Sequence, residues 1–297
     1  MASVIALFIA IFLMLATLRR HPVDWRGYGA AYSICLLLIT IGLLCRMSGR
    51  REMASTTIGL GMVFALLFSG GPLTYSFLPL WRDPIDPTLA HLDALLGFYW
   101  PQLIELASRF PLFVSATWFA YHSVAFQFWA LLFVLGMTDR ARQLQEFLAA
   151  IALTCLATIV IWAVFPAFGP STLYSIDIPA LFGKSTVVTT EYGRSMLKVA
   201  SEGPNLIQPN DVLGLVAFPS YHCIMALLAT WGAWTIAWAR WPCLFVNLLV
   251  LPAAVIQGGH YVIDLLASMI VVAVTIPLVR RFVGHQSRRV AMTPALA

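Results

Sequence analysis

Eight stretches of this 297-residue chain are long, apolar and nearly free of charge, and this pattern constrains the fold more than any other feature. They cover residues 2–18, 30–45, 56–78, 112–136, 147–168, 219–239, 242–257 and 260–283. A helix needs roughly 17–25 such residues to cross a hydrocarbon layer about 30 Å thick, where each backbone N–H and C=O must be satisfied within the segment. The 30–45 run sits at the lower edge of that length. With 60% hydrophobic residues, 10% charged residues and a mean hydropathy of +0.85, the chain is no soluble globule. The expected fold is all-α, a polytopic transmembrane bundle of about eight spans. The 2–18 run lacks a basic leader and a cleavage signal, so it reads as a retained helix rather than a signal peptide.

Between the runs, Gly59, Gly61 and Gly70-Gly71-Pro72 predict close helix packing followed by a break. Residues 79–111 carry five prolines with Asp83, Asp86, Asp93 and Glu105, too polar and broken to span. Within them, 88–98 reads as a short interfacial helix with Leu89, Leu92, Leu95 and Leu96 on one side and Trp100 as an interfacial anchor. His91 and Asp93 lack a third ligand nearby, so no metal is expected there. Residues 172–217 form the longest hydrophilic segment, and a loop of that length inside a compact fold is usually functional, as a lid is.

Two polar islands interrupt this apolar background, Phe218-Pro-Ser-Tyr-His222 and Gly258-Gly-His260-Tyr-Val-Ile-Asp264. On a helix, His260 and Asp264 share a face, so the carboxylate can take the imidazole N–H and make the other ring nitrogen more basic. A satisfied core histidine is the plain alternative, but an ionisable pair at a membrane helix end is a functional hypothesis by default. Pro219 and Ser220 read as a helix start whose exposed N–H groups form an anion cradle, with His222 in the first turn. Two imidazoles, a carboxylate and a helix N-terminus suit phosphoryl transfer through a phospho-histidine.

Phe-Pro-Ser-Tyr-His-x-x-x-Ala (218–226) and Gly-His-Tyr-x-x-Asp (259–264) resemble the second and third signature blocks of the type 2 phosphatidic acid phosphatase superfamily. Within it they are most similar to the branch containing inositol phosphorylceramide synthase, and Asp-x-x-Leu-Gly-Phe-x-Trp (93–100) is similar to an amphipathic stretch of that branch. The resemblance covers roughly 55–283, which implies a catalytic membrane domain there, N-terminal transmembrane helices at 1–54 and a basic cytoplasmic tail at 284–297. It implies His260 as nucleophile, Asp264 as its partner and His222 as general acid and base. The phosphatase branch's Lys and Arg-Pro block and its upstream Ser-Arg pair are missing; Ala253-Ala254 stand at the latter place. Other groups must then meet phosphate charge, and the candidates are Ser220, the Gly169-Pro-Ser171 turn, Arg194 and Lys198. Tyr121, His122 and Gln127 lie mid-span, where polar groups should face the bundle interior; His122 is a candidate for lining a head-group cavity or for a hydrogen bond to a neighbouring helix, and Tyr261 is a cavity candidate too.

Eight spans put both termini on one side. That side collects ten Arg and Lys residues, against five in the short loops opposite, which predicts cytoplasmic termini and puts Gly169, Ser171, His222 and His260 together on the extracytoplasmic face. Arg supplies sixteen of eighteen cations, a compositional pointer to a bacterial inner membrane. The charge of +5 suits an anionic membrane surface rather than nucleic acid. The five cysteines show no paired spacing, and no nucleotide or metal motif is present, so no cofactor is expected. The expected activity moves a phosphorylated head group, of the inositol phosphate kind, from a phospholipid to a lipid hydroxyl such as that of ceramide. A lipid-phosphate or polyprenyl-diphosphate phosphatase using water is the alternative; a proton-relaying transporter or channel is a third reading. Membrane lipids are the expected partners, and the oligomeric state is open.

Overall fold

A computed structural model describes residues 1–138, 140–183, 186–209 and 214–292, with side chains to residue 283. Asp139, Lys184 and the side chains of Arg288 and Arg289 in the basic tail lie outside the described residues. Among those residues there are twelve α-helices: α1 (Ala2–Leu18), α2 (Trp25–Met47), α3 (Arg51–Ser76), α4 (Asp86–Leu95), α5 (Trp100–Ser108), α6 (Pro111–Met137), α7 (Ala141–Val164), α8 (Ile178–Phe182), α9 (Thr190–Glu202), α10 (Tyr221–Ala233), α11 (Arg240–Ile256) and α12 (Val262–Met292). A single 3₁₀ turn covers Pro170–Thr172.

Five helices, α2, α3, α6, α7 and the Val262–Val283 part of α12, are long and apolar enough to cross a membrane. Helices α1 and α11 are apolar but only 17 residues long. The 219–239 run differs from expectation, because its helix α10 ends after 13 residues and turns follow. At 1.5 Å per residue α10 is about 20 Å long, less than a hydrocarbon layer. The predicted break at Pro72 is also absent, since α3 continues to Ser76. Proline's fixed φ suits a helix, and apolar packing on both sides leaves the freed carbonyl little water to turn toward.

The core is built on small residues where backbones meet. A Cβ at Gly61 would stand 2.9 Å from Cys35 O, and one at Gly136 would stand 3.0 Å from Thr56 Cα. Phe8, Leu66, Phe147, Trp162 and Leu228 fill the space among α1, α3, α7 and α10.

Hydrogen bonds over long sequence separations stitch one end of the bundle. The Arg19 guanidinium donates to Phe77 O and Pro79 O, both at 2.9 Å. Leu80 N–H donates to Ala200 O (2.9 Å), Ile85 N–H to Pro166 O (2.8 Å) and Ala217 N–H to Ala167 O (3.1 Å). Trp100 is no interfacial anchor. Its ring is buried and its indole N–H donates to Val255 O at 3.0 Å, because a buried indole needs an acceptor and the end of α11 offers one. Helix α4 turns Leu92, Leu95 and Leu96 outward, while Asp86, Leu89 and Asp93 face in.

Candidate active site

His260 stands two residues ahead of α12, not on it, so the helical i, i+4 argument does not place it. Its Nδ1 lies 2.9 Å from Ala217 O and 3.3 Å from Asp264 Oδ2. A carbonyl and a carboxylate can only accept, so Nδ1 carries the proton and Nε2 keeps its lone pair. Asp264 Oδ2 also accepts from Tyr261 N–H at 2.9 Å, the reach-back of a carboxylate at the third helical position to the residue that caps the helix. The backbone carbonyl is thus the nearer partner of the imidazole, and the carboxylate serves the ring and the chain start together.

His222 sits in the first turn of α10, where Ser220 Oγ accepts from Cys223 N–H at 3.3 Å. The N–H groups of Tyr221 and His222 are then first-turn donors with no acceptor inside the helix. Ser268 Oγ lies 2.9 Å from Ser220 O and 2.7 Å from Asp264 O, tying the start of α10 to α12. Tyr121 of α6 lies flat on His222, with ring centres 4.1 Å apart and planes at 18°, and its hydroxyl is 3.2 Å from His222 Nδ1. The same tyrosine leans on the His260 loop: a Cβ at Gly258 would come within 2.8 Å of Tyr121 Cε2 and 3.0 Å of His260 Cδ2. Tyr121 therefore stacks on His222 and packs beside the Gly258 backbone, two residues before His260.

The third piece is the turn through Gly169, whose φ of +95° favours glycine and whose α-carbon packs on the carbonyl of Gly259, leaving no room for a side chain. Ser171 Oγ in this turn is buried without a hydrogen-bond partner. Asp86 holds the turn, accepting from Phe168 N–H (3.2 and 3.0 Å to its two oxygens) and from Gly169 N–H (2.7 Å). One residue face further along α4, Asp93 accepts from Val262 N–H and Ile263 N–H, both at 2.8 Å, and so caps α12 from outside. Burial pushes the Asp86 carboxyl up to about 6 against the pull of these N–H groups, and Asp264 adds to the rise. Burial raises the Asp93 carboxyl too.

Gly169, Ser171, Ser220, His222, His260, Tyr261 and Asp264 are thereby brought to one end of the bundle. Tyr261 is fully buried, its hydroxyl without a partner. Arg194 and Lys198 are not brought in: they share the outward face of α9, where the Arg194 side chain is 72% exposed and 3.9 Å from Glu191. The inward face carries Gly193, Met196 and Ala200, and Gly193 packs directly on the Ser171 carbonyl. His122 is exposed, its Nδ1 bound at 2.8 Å to Trp118 O in its own helix. Its neighbour Tyr121 faces His222 instead. Sequence reasoning missed Tyr121, Asp86 and Asp93 as parts of this site. An acid recurring after seven residues on one face of α4 was the available signal for the last two. His91, in contrast, is exposed on the other side of that helix.

No curated protein and no solved structure matches this chain. Residues 87–278, more than half of the chain, match the family model of the PAP2 superfamily, whose members are generally phosphatases or phosphotransferases. The five long apolar helices and that match together show that the chain is an integral membrane protein and belongs to the PAP2 superfamily.

Proposed function

We propose that the chain is a lipid phosphotransferase working through a phospho-histidine. The observation that carries this reading is the doubly accepted Nδ1–H of His260, which leaves Nε2 as a nucleophile at the same end of the bundle as a second imidazole, that of His222. The Nε2 lone pair attacks phosphorus of a phospholipid; the P–N bond forms, the P–O bond to the glycerol breaks, and His222 protonates the departing oxygen. A lipid hydroxyl, deprotonated by His222, then attacks phosphorus and the P–N bond breaks. The first-turn N–H groups of α10 and the Ser171 hydroxyl are the donors for the phosphate oxygens.

The charge of the site favours transfer over hydrolysis of a monoester. Among the described residues, the buried charged groups around His260 are the carboxylates Asp86, Asp93 and Asp264. A phosphodiester brings one negative charge into that field, whereas an ionised monoester brings two. This supports a diester donor; the sphingolipid-type acceptor rests on the resemblance to the inositol phosphorylceramide synthase branch alone, with a lipid-phosphate phosphatase as the second reading. The excess of arginine at the opposite end supports an extracytoplasmic site, periplasmic in a bacterium.

The test supplies purified protein in vesicles with labelled phosphatidylinositol plus ceramide, and separately with labelled phosphatidic acid. Label on ceramide is expected and must vanish in His260→Ala. Free phosphate alone supports the second reading, and equal turnover by His260→Ala removes the nucleophile.

A further inference from the structure

The interfacial helix α4 meets the site through Leu89, which packs with Ala167, Ala217 and Tyr261, and through two buried carboxylates. Asp86 is 1% exposed and Asp93 3%. They stand two helical turns apart on one face, and each grips a pair of adjacent backbone N–H groups, on two different segments. Asp86 fixes Phe168 and Gly169, three and two residues before Ser171. Asp93 fixes Val262 and Ile263, two and three residues after His260. Because the helix between them is rigid, it sets the spacing between the Ser171 turn and the His260 loop. At 2.8 Å with an ionised acceptor, the bonds to α12 are of the short, charge-assisted kind. Asp93 also occupies the donors at the start of α12, so an anion at His260 is left to the start of α10.

We propose that Asp86 and Asp93 are the positioning pair of this active site: α4 is a ruler that holds the nucleophile loop in register with the phosphate-binding turn. The inference rests on the phosphotransfer reading for its kinetic part but not for its structural part. A positioning group of this kind acts on the reacting geometry, where a misplacement of about 1 Å costs about a hundredfold in rate. Binding of the lipid, made largely elsewhere, changes little.

The experiment pairs kinetics with amide hydrogen exchange on the full-length protein in lipid nanodiscs. Asp93→Asn keeps the size of the side chain but replaces one acceptor oxygen with a donor. The expected result is faster exchange at Val262 and Ile263 with Phe168 and Gly169 unchanged, a kcat at least tenfold lower, and a KM within about threefold. Asp86→Asn gives the mirror image in exchange, and Asp93→Glu regains part of kcat. Wild-type kcat in Asp93→Asn overturns the proposal. So does a loss of kcat that merely tracks a lower melting temperature, with both segments exchanging faster alike. Should wild type and His260→Ala prove equally inactive on every lipid phosphate, the phosphotransfer reading fails by itself, and the segment-specific exchange still decides whether α4 holds the two segments.

Discussion

The two ends of the bundle are built on opposite principles. At one end, the chain between α3 and α6, between α7 and α10, and between α11 and α12 is held by backbone bonds and buried carboxylates linking residues far apart in sequence, as from Asp93 to Val262 and Asp86 to Gly169. At the other, the connections are short: turns at 48–50 and 234–239, and the few residues that separate α6 from α7. They are edged by Arg46, Arg50, Arg51, Arg140, Arg142, Arg240, Arg280 and Arg281, with Trp234, Trp238 and Trp241 exposed in an aromatic belt. Cations there contact their surroundings through side chains: Arg142 pairs with Glu146 at 2.9 Å, Arg140 donates to Thr235 O, and Arg280 lies 5.6 Å from the Trp231 ring centre. The lesson is one of cost. Irregular backbone at membrane depth must be paired within the protein, so a bundle concentrates it at the end where chemistry needs it and closes the other end with the least chain.

Substitutions at the two ends should therefore differ sharply. The largest effect is expected from His260→Ala, a loss of about 10⁴-fold or more in kcat, read as label transferred from phospholipid. His222→Ala should lower kcat by about 10²–10⁴-fold, the range for a lost general acid. A fall shared by Tyr121→Ala, smaller in size, would sharpen the picture of a tyrosine that seats His222. Gly169→Ala places a side chain against the Gly259 carbonyl at positive φ, and a loss of about 1–3 kcal/mol in chemical unfolding is expected. No change there would show that the two turns are not packed as described.

The next effect is a pH dependence. With its carboxyl raised to about 6, Asp86 grips the 168–169 N–H groups fully above that pH, and the grip weakens as pH falls through 6. Activity should fall on the acid side near pH 6, and Asp86→Asn should lack that limb. Stability runs the other way. A folded value above the unfolded 3.8 means that ionisation costs the fold, a cost absent below about 3.8, growing up to about 6 and constant above. Acidification from pH 7 to 5 should therefore not destabilise the protein through this group, and a melting temperature that drops over this window in wild type but not in Asp86→Asn contradicts the assignment. The smallest effect belongs to the far end: Arg140→Ala, which loses one bond to Thr235 O, should change stability by less than about 0.5 kcal/mol and leave turnover as it was.

Much of the helix content was legible, because apolar runs of fixed length have one solution in a membrane and Ser220 marks a helix start by its chemistry. Pro72 was misread because local propensity is a weak guide where packing on both sides replaces water, and the 234–239 turns because hydropathy does not distinguish a span from exposed tryptophans at the end of the bundle. The pairing of His260 with Asp264 was legible from four-residue spacing, though the ring lies ahead of the helix and its nearer acceptor is the carbonyl of Ala217, 43 residues away. Arg194 and Lys198 drew notice as cations, yet the helix that carries them docks by Gly193, a residue whose value lies in having no side chain.

By itself, then, the sequence determined an all-helical membrane protein and the identity of the two histidines and their carboxylate, because hydropathy runs and short-range motifs are properties of neighbouring residues. Only the tertiary structure decided that Tyr121 stacks on His222 and that Asp86 and Asp93 turn inward. A side chain's partner across the fold depends on which backbone donors are left over when the helices have packed, and nothing adjacent to these residues in the chain specifies that.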